Sequence, residues 1–186
     1  MGSRLKAALA LMALTAAAWT GSSGSAMPQP ASPATPQHEI PQSLRLEHQE
    51  TLERLNLLAK HPGAVGVEAR KALVLFKQHI AREEEYILPP LTLLPILADG
   101  KVTPDMRWAL AMTDRVKAER EQIFQEHTRL TDALNALVTA AHRTHDQAAI
   151  QFAEAAEGDA LNDVELLEPT VVLIGEYLHS KLPAAQ

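Results

Sequence analysis

From Ile40 onward, apolar side chains recur at steps of three and four, the period of a helix that buries one face. Ile40, Leu44, His48, Thr51, Leu55 and Leu58 form the first such stripe, and His61-Pro62-Gly63 stops it. A second helix is predicted over roughly residues 67–88, with Ala72, Phe76, His79, Glu83 and Ile87 on one face. Pro89-Pro90, Pro95 and Asp99-Gly100 break or bend the chain after it. Thr103-Pro104-Asp105 reads as a new helix start, a capping threonine followed by proline at the first helical position. The third helix carries Ile123, His127, Leu130, Leu134 and Leu137 inward. The chain turns between His142 and Asp146, and a fourth helix runs to about Leu182. The expected fold is all-α, an up-down-up-down four-helix bundle over residues 40–182 with a short tail at 183–186.

Composition sharpens this reading. Aromatics are only 4% of the chain while good helix formers dominate, which disfavours a sheet. The net charge of −6, without a Lys/Arg cluster, lacks the basic face that nucleic acids require. With no cysteine, disulfides, thiolate zinc sites, iron–sulfur clusters and cysteine nucleophiles are all excluded. Any metal must be held by histidine and carboxylate. Ahead of the bundle, Arg4 and Lys6 precede an apolar run over 7–19, and Gly24-Ser25-Ala26 offers small residues for cleavage. Residues 1–26 therefore read as an export signal, too short in its apolar part for a comfortable membrane span. The mature chain is expected in the periplasm or secreted, with no stable membrane insertion once the signal is cleaved. Residues 27–39 read as a Pro/Ser-rich linker.

Histidines and carboxylates stand on the inner stripes where apolar residues belong. Any one of these histidines alone would read as an ordinary core histidine, but their arrangement repeats. Glu47-His48 opens EHQETLERL, and Glu126-His127 opens EHTRLTDAL. Downstream, HIAREEEYILPP from His79 aligns with DALNDVELLEPT from Asp159, pairing His79 with Asp159, Glu83 with Asp163 and Pro89 with Pro169. Each half is a helical hairpin with one ligand-type residue on its first helix and two more at i and i+4 on its second. Two packed hairpins converge six polar groups, the pattern of a dinuclear site in a bundle core. On this reading Asp159 and Asp163 share the inward stripe of Phe152 and Leu166. Unpaired carboxylates there cost several kcal/mol. Lys77 and Arg82 point elsewhere by helical phase, so the buried carboxylates call for a cation.

These residues resemble the hemerythrin-like, or HHE cation-binding, family. The resemblance runs from about Ile40 to Leu182 and rests on EH at His48, HIAREEEYILPPL from His79, EH at His127 and the closing LIGEYL. It implies a bundle holding non-haem iron, commonly two ions, with His48, His79, Glu83 and His127 as ligands and Glu83 as a bridge. The implied roles are binding dioxygen or nitric oxide, or sensing and handling iron. The fourth helix departs from the family, with Asp159 and Asp163 where a histidine and a glutamate are expected. If both aspartates reach, the site is three histidines and three carboxylates, nearer to carboxylate-rich di-iron oxidases of ferroxidase or peroxidase type. If they do not, a mononuclear site remains on the other half, or the bundle has lost its metal and serves as an interaction module. Glu84 points about 100° away from Glu83 and is a weaker ligand candidate. His38, His61, His142, His145 and His179 fall outside the pattern, and Trp108 reads as packing.

Overall fold

A computed structural model describes residues 38–183. The expected export signal at 1–26, nearly all of the 27–39 linker and most of the tail lie outside the described residues. Among those described there is no strand, and no helix is long and apolar enough to cross a membrane.

Helix α1 spans Gln42–Leu58 and α2 spans Gly63–Arg82. Between them the chain reverses at Pro62-Gly63, where Gly63 takes φ +78°, a left-handed conformation that side chains resist. Helix α2 runs without interruption into a π-helical turn, Glu83–Ile87. A 3₁₀ turn at Pro89–Leu93, which begins with two prolines, then leads to the short α3, Leu94–Ala98. Another 3₁₀ turn, Pro104–Arg107, opens the long α4, Trp108–Thr144. Thr103 stands at the expected cap position, but its side chain makes no capping bond. His145 closes α4 in the left-handed region, and Asp146 caps α5, Gln147–Asn162, by accepting from the Ala149 amide. A second π turn, Asp163–Leu167, joins α5 to α6, Glu168–Lys181.

Helix α4, about 55 Å long at 1.5 Å per residue, is the spine of the packing. It lies against α2 and α5 along one stretch and against α6 along another, while α1 packs on α2. Two apolar cores form along it. One gathers Leu55, Phe76, Leu130, Leu134, Leu137 and Ile150, and the other Ile87, Leu88, Val116, Ile123, Val171 and Leu178. The polar residues lie between them. His127 separates Ile123 from Leu130 on α4, and Glu83 stands between Phe76 and Ile87.

The inward stripe expected on the fourth helical segment is corrected here. Phe152 is only partly buried, Asp159 is half-buried, and Leu166 is 61% exposed. The π turn is the physical reason. It inserts one extra residue per turn, so the face that continues inward after Asp163 passes to Glu168, five residues on, instead of Leu166. The two π turns sit at matched places in the two halves. The Leu88 amide donates to the Glu83 carbonyl, and the Glu168 amide donates to the Asp163 carbonyl.

Candidate metal centre

Four of the expected ligands meet in the polar layer. His79 and Glu83 come from α2 and its π turn, His127 from α4, and Asp163 from the head of the second π turn. One ligand atom from each lies within 4.8 Å of all the others. His79 Nε2 is 3.2 Å from Glu83 Oε2 and 3.6 Å from Asp163 Oδ2. His127 Nε2 is 3.9 Å from both Glu83 Oε1 and Asp163 Oδ2. Two ligands about 2.1 Å from one ion on adjacent positions sit roughly 3.0–3.4 Å apart, so a small contraction would close this group on a cation. His48 is also buried, with Nε2 3.0 Å from Glu83 Oε2, the oxygen that faces His79. Asp159 does not join the four. It borders a cavity of about 20 Å³ together with Glu47, His48, Thr51, His79 and Asp163, room for about one water molecule.

The state of His127 decides what the cluster wants. Its Nδ1 lies 3.0 Å from the Ile123 carbonyl and 3.4 Å from Glu168 Oε1. Both neighbours are acceptors, so Nδ1 carries the proton and donates it to Ile123. Burial and the nearby His79 hold the His127 pKa below its usual range, so Nε2 keeps its lone pair. That lone pair faces two carboxylate oxygens. His127 Nε2, Glu83 Oε1 and Glu168 Oε1 are all buried without a hydrogen-bond partner. The Nε2 lone pair and Glu83 Oε1, 3.9 Å apart with no donor between them, repel each other in this low-dielectric layer unless a cation joins them.

Among the described residues, no Lys or Arg forms an ion pair with Glu83, Asp163 or Glu168; Arg82 turns outward to Glu126 at 2.8 Å and Glu119 at 3.7 Å. Without a metal, protons do the balancing. Burial alone would lower His48 and His79, but the carboxylates against them raise both. Burial would raise Glu83, yet His79 and His48 hold it low. Asp163 is pushed up, first by its burial. The donor set is nitrogen and oxygen, which suits iron, zinc or manganese.

Two participants escape a reading by helical phase. Glu84 accepts from His48 Nδ1 at 3.1 Å, so His48 sits between two carboxylates. Glu168 is 4% exposed, and burial, then Glu83 and Asp163, push its pKa up to about 7. The signal for Glu168 lies in the internal repeat, which sets it against Leu88, a fully buried core residue. The remaining histidines are elsewhere. His38 stacks on Trp108, His61 and His142 lie near Asp146 and Glu154, and His179 pairs with Asp114 at 2.8 Å.

Glu168 makes a pH-dependent contribution in the metal-free chain. The folded state holds this proton more tightly than the unfolded state, whose carboxyl titrates near 4.5. The favourable contribution is therefore complete below pH 4.5 and is lost as pH rises to about 7. Glu168→Gln removes that loss. In denaturant melts with chelator, the variant should gain on the wild type between pH 5 and pH 8 by up to about 3 kcal/mol, the free-energy equivalent of a carboxyl shifted from 4.5 to about 7. A difference that does not change with pH would contradict this assignment.

Comparison with protein-family models, curated proteins and solved structures finds no match for this chain.

Proposed function

We propose that the chain is a non-haem iron-binding bundle of the hemerythrin-like kind, exported to the periplasm or beyond, that handles dioxygen, nitric oxide or iron. In this reading α1, α2, α4 and the α5–α6 segment are the four arms of an up-down-up-down bundle. His79, Glu83, His127 and Asp163 hold the first ion. His48, against the same Glu83 oxygen as His79, and Asp159, at the rim of the adjoining cavity, are the ligands available to a second. The observation that carries the reading is the buried lone pair of His127 Nε2, set against two carboxylate oxygens with no hydrogen-bond donor between them. Bound iron would supply the redox chemistry and the affinity for small diatomic ligands. The chain's own residues orient that centre and exclude bulk water, since apolar cores close it above and below.

A second reading, a carboxylate-rich di-iron oxidase, is favoured by the burial of three carboxylates, Glu83, Asp163 and Glu168, at one place. Turnover of ferrous iron or peroxide separates it from a binder.

The test compares the two aspartates. Metal content per chain should collapse in Asp163→Ala. In Asp159→Ala at least one ion should remain, because Asp159 stands outside the four. Equal loss in both variants, or none in either, would contradict this ligand assignment.

A further inference from the structure

Glu168 has no counterpart in the ligand pattern read from the sequence, yet it is among the best-buried charged residues, at 4% exposure. The internal repeat makes its burial informative. The two π turns end in the same backbone bond, an amide donating five residues back, and Leu88 and Glu168 are the donors. Leu88 is fully buried in an apolar core. A carboxylate therefore occupies the place where the other half packs a leucine, and leucine would be much cheaper to bury. Glu168 Oε1 has no hydrogen-bond partner. The Nδ1 edge of His127 lies 3.4 Å from it, within reach of a proton that Nδ1 shares with the Ile123 carbonyl.

Resting on the metal-binding reading above, we propose that Glu168 is a positioning residue for the centre: a buried carboxylate, delivered by the second π turn, that holds the His127 ring with its Nε2 lone pair toward the ion and strengthens that nitrogen as a donor. A ligating imidazole whose other N–H meets a carboxylate is fixed in tautomer and orientation and is a better base. The Ile123 carbonyl alone would orient the ring, but it carries no full charge. Once deprotonated, Glu168 supplies one, and it stands beyond the ring's other nitrogen, not among the ligand atoms.

Zinc alone is the probe, titrated into the full chain against a chromophoric competitor, with helical content followed by circular dichroism. Glu168→Ala should weaken zinc binding by about 10–100-fold, the usual cost of an outer-shell partner. Glu168→Gln, which keeps an acceptor but not the charge, should fall between that variant and the wild type. Both should remain as helical as the parent. Zinc affinity unchanged within twofold in both variants would overturn the inference while leaving the metal reading intact. So would equal losses in the two, since a mere packing role would not grade with acceptor and charge. A wild-type chain that binds no zinc or iron would overturn both.

Discussion

Glu83→Ala should abolish tight metal binding while leaving the chain helical. Glu83 is 1% exposed, and its two oxygens face three histidines: Oε2 meets His48 and His79 at 3.0 and 3.2 Å, and Oε1 meets His127 at 3.9 Å. Among the described residues, no other carboxylate pairs with all three histidines. Its removal takes away a negative charge and the atoms that tie His48 to the other ligands. The loss of affinity should therefore exceed the ~10–100-fold expected for an outer-shell partner. The fold should survive, because the apolar cores on either side contain Leu55, Leu130, Leu134, Ile87, Leu88 and Val116, none of which depends on Glu83. Glu83→Gln keeps the volume and loses the charge, so it guards against a packing artefact and should bind nearly as poorly. Competition titration with zinc, read beside circular dichroism, decides the matter. Affinity within tenfold of wild type in both variants would mean that the ion, if any, lies elsewhere.

Removing the metal should lower the melting temperature by roughly 10 °C. An ion that binds only the folded state at a thousandfold excess over its Kd stabilises by about 4 kcal/mol, and a chain of this size gains roughly 2–4 °C per kcal/mol. The metal-free core explains why the effect should be large. It buries Glu83, Asp163 and Glu168 with three histidines and balances them only with protons. The stabilisation should also depend on pH. The carboxylates hold His48 and His79 in their charged forms above the usual imidazole range, and those protons must leave before the nitrogens can ligate. Metal-dependent stabilisation is thus full at alkaline pH and lost as pH falls through the raised histidine values. Thermal melts with and without chelator, at pH 8 and pH 6, provide the check. Superimposable melts at both values would leave a bundle that stands on its apolar cores alone, the interaction-module alternative.

The helical period was legible because apolar residues on α1, α2 and α4 keep one phase over many turns. His48, His79, Glu83 and His127 sit on those stripes, and all four are buried where the phase puts them. Reading failed after Asp163, where the phase itself changes. A π turn leaves no residue-type signature of its own, so a strict 3.6-residue count carried the inner face to Leu166, which is 61% exposed. The true inner residue, Glu168, lies five residues after Asp163, off the 3.6-residue stripe. Asp159 looked equivalent to His79 by alignment, but it is half-buried at a cavity rim, and as an aspartate it has a shorter reach. The hydrogen bond from His48 to Glu84 also escaped, because it joins α1 to the π turn after α2 across a gap that no single-helix stripe describes.

The most direct test is the iron content of the untagged chain, reconstituted with ferrous iron under anaerobic conditions, desalted, exposed to air and measured per polypeptide beside Glu83→Ala. The account expects at least one iron per wild-type chain, an optical spectrum of ferric iron with nitrogen and oxygen ligands, and essentially no iron in the variant. A wild-type chain that emerges folded and helical but retains no iron, and takes up neither zinc nor manganese in its place, would contradict the account.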